Sequence, residues 1–227
     1  MKLVFSGLEK PQYLEPGRVS VLEVENQRLF TRICQSIVSG EGAQAVEPYT
    51  LWNNQGKEVK PKTALLPIVN PFELPWTERE LLGGLYQRYE TMLLEDYEMR
   101  DKLSQLTREI SSSISLLGFQ LASNCEFEIE WDMRRYLKAF GFGVDFDSRD
   151  SLLDNVIKFI HLAMDVSLQR ALVFVNLKTF LTKNELETLY EQVIFSQIPL
   201  LLLENRKDCY CSDYEIKRCV DQYFLET

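Results

Sequence analysis

Histidine is almost missing from this 227-residue chain, with His161 alone between Ile160 and Leu162. On a helix with that pattern, a packed or surface role is expected rather than that of a catalytic base. No G-x-S-x-G elbow is present to supply a nucleophile. Phosphate-binding loops are missing as well. Such a loop surrounds phosphate with backbone N–H groups, then places Lys and Ser or Thr, and no GxxxxGK followed by either occurs. Ser39-Gly40-Glu41-Gly42 puts an acid where phosphate would sit. Gly141-Phe142-Gly143 lacks the third glycine and the strand–turn–helix setting of a dinucleotide fingerprint. Nucleotide binding and hydrolysis are therefore not expected. Carboxylates gathered by two metals from several strand ends would leave no local motif, so a divalent-metal phosphodiesterase stays open.

No segment approaches the roughly 20 apolar residues of a membrane span. The opening MKLVFSGLEK lacks the apolar core of a signal peptide. Cys34, Cys125, Cys209, Cys211 and Cys219 form an odd, scattered set without disulfide spacing, as expected in a reducing cytoplasm. The cluster Cys209-Tyr210-Cys211 with Cys219 has no nearby histidine to complete a zinc site. Bases are the scarcer charge, 25 against 34 acids for a net −9. That balance opposes nucleic-acid binding unless a local basic surface forms.

What is present begins with residues 170–204. Ala171–Val175 is a short β-branched run suited to a strand buried on both faces. Thr182 and Glu185 form a capping-box pair, followed by Leu186, Leu189, Tyr190, Val193 and Ile194 at helical spacing. Ile198–Leu203 is a second apolar run. Strand, helix and strand make a βαβ unit, with Val173–Val175 and Leu201–Leu203 as adjacent or nearly adjacent parallel strands. Earlier in the chain, Lys2–Ser6, Arg18–Val24 and Ala64–Val69 read as strands. Asn26 caps a helix with Leu29, Phe30, Ile33, Ile37 and Val38 on one face, stopped near Gly40. Tyr49–Trp52 and Lys57–Lys60 flank a turn in the manner of a hairpin.

Composition shifts at Asn70, where Pro71 and Pro75 punctuate the chain. Thr77 and Glu80 form a second capping-box pair. From there to about Ser123 only Gly83-Gly84 interrupts a helical pattern. Leu81 to Leu93 carries one apolar stripe; Leu103, Leu106, Ile110, Leu117 and Leu121 carry another. The stripe packs either inside its own domain or against a helix of another subunit. Ser151 opens a further helix, residues 212–220 read as a short helical or irregular piece, and Gln222–Leu225 as a last strand. The expected fold class is α/β: a mainly parallel sheet with flanking helices, a P-loop-like body lacking the phosphate loop. That body comprises residues 1–70 and 123–227, with a helical insertion at 71–122.

Between the insertion and the body lies Glu126-Phe127-Glu128-Ile129-Glu130-Trp131-Asp132. In an extended chain its acids point one way and its apolar residues the other. It is either an edge strand with a solvated acidic face or a cation site. Oxygen-only ligands suit calcium or magnesium. Same-face residues of a straight strand lie about 7 Å apart, so a bend would be needed to gather them on one ion. Arg134, Arg135 and Lys138 follow on a helix around Met133, Tyr136, Leu137 and Phe140. They form either a solvated face or part of a basic patch.

The segment FVNLKTFLTKNEL, followed by a helix and LLLLENR, resembles the Csn family of CRISPR adaptation proteins, the small non-catalytic subunits of type II-A systems. GRVSVLEVENQRLFTRICQSI is similar to that family's opening strand and first helix, and VDQYFLE to its closing strand. The resemblance is colinear over most of the chain. It implies a calcium-supported homotetrameric ring that threads linear double-stranded DNA by its ends without reading sequence. That ring serves spacer acquisition beside the CRISPR integrase and effector nuclease. The resemblance also assigns calcium to the acidic cluster, leaving Glu126, Glu128, Glu130 and Asp132 as the candidate ligands. For DNA, the candidates are Arg134, Arg135 and Lys138. A protein-interaction regulator that binds no DNA is the other non-enzymatic reading.

Overall fold

The computed structural model describes every residue except 124, 126, 128, 129, 148 and 209–211. It divides into two compact units: Met1–Trp76 with Asp145–Thr227, and Thr77–Val144.

The first unit is built on five strands rich in Val, Leu and Ile. These are β3 (Val19–Val24), β5 (Leu65–Ile68), β6 (Ala171–Val175), β7 (Leu200–Glu204) and β8 (Glu215–Val220). They form one parallel sheet in the order β5-β6-β7-β3-β8, with Val173 opposite Leu201 and Val21 opposite Leu202. Every residue of β3, β6 and β7 is buried, as a parallel sheet covered on both faces requires. Alternation assigns the faces. Ala171, Val173, Leu201, Leu203, Leu22 and Val24 join one core with Leu29, Ile33 and Ile37 of α1 (Gln27–Ser39). That core includes a small antiparallel sheet of β2 (Gln12–Tyr13), β1 (Lys2–Phe5) and β4 (Tyr49–Trp52). The short α2 (Pro61–Ala64) leads into β5. Elsewhere in the unit, α6 (Leu152–Asp165) and α7 (Lys183–Ser196) pack on each other; Phe159 and Ile160 of α6 and Leu189 and Tyr190 of α7 are fully buried.

The caps follow the chemistry of their residues. Asn26 Oδ1 accepts from Leu29 N–H at 3.0 Å, and α1 ends on the left-handed Gly40. Thr182 and Glu185 close the capping box of α7. Val38, expected on the inner face of α1, is exposed.

The second unit contains α3 (Arg79–Glu95), α4 (Tyr97–Gly118) and α5 (Met133–Ala139). It runs past residue 122, where the insertion was expected to end, because α5 packs on α3. Tyr86 Oη donates to Phe142 O at 2.9 Å, and the Tyr89 and Phe142 rings meet edge-on at 5.0 Å. The Thr77–Glu80 capping box does not form: α3 opens at Arg79, which leaves Thr77 outside the cap position. Gly83-Gly84 lies within α3, flanked by the buried Leu81 and Tyr86. The break falls instead at Asp96, whose side chain accepts from Met99 N–H at 2.9 Å and caps α4.

Two further expectations are corrected. Residues 57–60 shorten the expected hairpin to an antiparallel bridge from Glu58 to Trp52, with Asn53 N–H donating to Lys57 O and Val59 N–H to Leu51 O, both at 2.9 Å. At the tail, the strand is Glu215–Val220 rather than Gln222–Leu225. Its charged residues belong to an edge strand whose lysine finds ionic partners, and residues 222–225 form a turn closed by a Val220–Glu226 bridge.

Candidate functional site

Among the candidate cation ligands, Glu126 and Glu128 lie outside the described residues. Glu130 is exposed. Asp132 is the N-cap of α5, its Oδ1 accepting from Arg135 N–H at 2.8 Å. Residues 125, 127 and 130–132 form no strand. Among the described residues, no three His, Cys, Asp or Glu side chains converge on a metal position. The donor set of the stretch consists of carboxylates, a chemistry that fits calcium. Asp132 would offer only the oxygen not already used by the cap.

The three candidate bases share α5, because Arg134, Arg135 and Lys138 are spaced over about one turn. Their surroundings differ. Arg134 reaches α3, 3.6 Å from Glu90 Oε1, and donates to Gly83 O at 3.4 Å. Arg135 and Lys138 are exposed. Leu137 anchors the opposite side of α5 and is buried. The helix stops at Gly141, whose positive φ of 64° lets Phe142 N–H reach Leu137 O at 2.9 Å. In the other unit, Lys57, Lys60, Lys62, Arg206 and Lys207 are all exposed.

The carboxyl ends of the parallel strands are where doubly wound proteins hold ligands. Here the β3–α1 connection is two residues, Glu25 and Asn26. Beside it lies a buried ionic network that sequence reading missed, its members being scattered from residue 23 to residue 217. Lys178 Nζ lies 2.5 Å from Asp208 and 2.8 Å from Glu215. Lys217 Nζ contacts Asp208, and lies 3.2 Å from Glu215 and 3.3 Å from Glu23. Tyr190 of α7 donates to Glu215 at 2.5 Å, and Glu204 accepts Lys178 N–H at 3.0 Å. Three carboxylates, Glu23, Asp208 and Glu215, thus share two ammonium groups, with Glu204 beside them on a backbone N–H, and Glu23 Oε2 is buried with no partner. Burial pushes Glu204 up to about 7, with Lys178 opposing the shift. Burial likewise raises Glu23. Protonation of one carboxyl relieves the surplus of negative charge. The only sequence sign of the network was an acid near the end of each of two mostly apolar strands, Glu23 of β3 and Glu204 of β7.

Other candidate groups are quiet. His161 Nε2 lies 3.0 Å from Gln192 Oε1, joining α6 to α7. Burial pushes the Cys34 thiol up to about 12 and raises Cys219. Cys209 and Cys211 lie outside the described residues. Among the described residues, no helix is long and apolar enough to cross a membrane.

Comparison with known proteins matches this arrangement to one family. The CRISPR-associated protein (Cas_Csn2) family model covers residues 44–226. The chain is 25% identical over 209 residues to the CRISPR-associated protein Csn2 of Enterococcus faecalis, spanning 91% of this chain and 90% of the relative. It is 22% identical over 228 residues to CRISPR-associated protein Csn2 of Streptococcus agalactiae, spanning 99% and 97%. Its fold is similar to the crystal structure of Stu0660 of Streptococcus thermophilus, with TM-score 0.57 and 14% identity over 89% of this chain and 68% of that one. With its parallel sheet and helical insertion, the chain belongs to the Csn2 family of CRISPR-associated proteins.

Proposed function

We propose that the protein acts in spacer acquisition as a non-catalytic scaffold: a homotetrameric ring that holds linear double-stranded DNA independently of sequence. Calcium on the acidic stretch supports the ring's shape, and the integrase and effector nuclease of the system are its partners. The observation that carries the reading is α4. This 22-residue helix buries none of its residues, and Leu106, Ile110 and Leu117 along it are exposed. An apolar stripe that its own chain leaves uncovered is the expected surface for another subunit. A ring also answers the charge problem. Four copies of a chain with net charge −9 repel a duplex from most of their surface. Binding then requires bases gathered on an inward face, for which Arg135 and Lys138 offer open cations beside Arg134.

Filter binding with linear and covalently closed circular duplex, with calcium or chelator, tests the reading. Calcium-aided retention of uncut linear DNA alone is expected. Cleavage would establish the phosphodiesterase reading, and absence of binding in every condition the protein-interaction reading. Contacts to phosphate position without reading sequence, so affinity should fall by about 0.9 log units per log unit of salt for each phosphate neutralised.

A further inference from the structure

After β5, within the α/β unit, lies a cleft of about 490 Å³. Its walls are aromatic. Trp76 lies flat against Phe146, rings 5.4 Å apart and 4° from parallel, and meets the buried Phe159 edge-on at 5.3 Å. Phe72 also lines the cleft, its ring held edge-on by Phe180 at 5.0 Å. Phe72 and Phe146 are more than half exposed, at 63% and 51%.

The side-chain groups among these rings offer acceptors. Asn155 of α6 turns its Nδ2 toward Asp150 O at 3.5 Å, while its Oδ1 is buried and has no hydrogen-bond partner. Glu73 and Asp150 add carboxylates. Lys158 takes one oxygen of Asp150 at 2.6 Å, and Arg149 is held by both oxygens of Asp147. Asp145 and Asp154 act on Lys158 as well, so acids outnumber bases around the cleft.

We propose that this cleft receives an arginine side chain from an extended segment of a protein partner. A buried acceptor needs a donor, and the acidic rim favours a cationic one. Exposed aromatic faces attract a cation, and a planar guanidinium stacks on them while presenting several N–H groups to separate acceptors. Lysine, a compact and strongly hydrated charge, covers fewer of them. The same acids repel phosphate, so the cleft is a protein-docking site and is independent of the proposed DNA surface.

The test uses fluorescein-labelled Gly-Gly-Arg-Gly-Gly, its lysine and citrulline counterparts, and the full chain, read by fluorescence anisotropy. Saturable binding of the arginine peptide is expected, weaker for lysine and lost for citrulline, which keeps the shape without the charge. Phe146→Ala and Asn155→Leu should each weaken it about fivefold or more. If Asn155→Leu lowers the melting temperature, the half-exposed Phe146→Ala decides alone. Arginine and lysine peptides bound equally and unchanged by the variants would mean general attraction to an acidic protein and would overturn the proposal. No saturation at millimolar arginine peptide would overturn it as well.

Discussion

The two units solve the problem of apolar surface in opposite ways. In the α/β unit, β3, β6 and β7 are buried along their whole length, and helices close over the sheet. In the helical unit, α4 is the longest helix described and buries no residue. A stable core and an open stripe therefore coexist in one chain. The first accounts for its own folding; the second leaves apolar side chains that its own chain does not bury. The family match does not draw this distinction, because residues 44–226 take in both units.

Substitution of equivalent leucines sharpens the contrast most. Leu202→Ala removes a fully buried side chain from the central sheet and should cost roughly 2–5 kcal/mol in urea unfolding. Leu117→Ala, 64% exposed on α4, should leave dilute-sample stability within about 0.5 kcal/mol. It should instead weaken the dependence of melting temperature on protein concentration. Equal losses at both sites would erase the comparison.

The same contrast governs what sequence could reveal. Runs such as Ala171–Val175 and the cap at Asn26 are local signals, because a two-sided strand and a helix start each depend on neighbouring residues. Much of the sheet was legible for that reason, including the nearness of Val173–Val175 to Leu201–Leu203, which are adjacent parallel strands. Glu215–Val220 was misjudged because an edge strand need not be apolar, and its Lys217 is satisfied by Asp208 and by Glu23, the latter far away in sequence. Gly83-Gly84, the one interruption expected in the helical pattern, lies inside α3 because a glycine costs only about 1 kcal/mol, which buried neighbours offset, while the break between the two apolar stripes falls where Asp96 offers a cap. At the site, the grouping of Arg134, Arg135 and Lys138 on one helix was legible. The engagement of Arg134 by Glu90 and Gly83 was not, since it depends on α5 folding onto α3.

A pH titration probes the α/β unit alone. Glu204 is raised by burial from the usual 4.5 to about 7. Its contribution is thus fully present below pH 4.5 and is lost as pH rises through about 7. The shift corresponds to roughly 3 kcal/mol at most. The parent should melt higher at pH 5 than at pH 8 relative to Glu204→Gln; identical pH profiles would show that the network does not titrate in this range.

Removing caps gives a smaller test of the same division. Asn26→Ala should destabilise the α/β unit by about 1 kcal/mol, through loss of the bond to Leu29 N–H. Asp96→Ala removes the matching cap of α4 by a similar amount. Hydrogen exchange should show that loss in the first turn of α4 while protection of β6 and β7 is unchanged. Spreading of the effect into the sheet would mean the two units unfold together.

The most direct measurement is the mass in solution, by size-exclusion chromatography with light scattering, of the parent and of a variant carrying Leu106→Glu, Ile110→Glu and Leu117→Glu. The stripe on α4 as an assembly surface predicts a parent mass several times the 26.5 kDa of one chain. It predicts a variant that elutes as a single folded chain. A parent already at 26.5 kDa, or a variant that keeps the parent's mass, would contradict it.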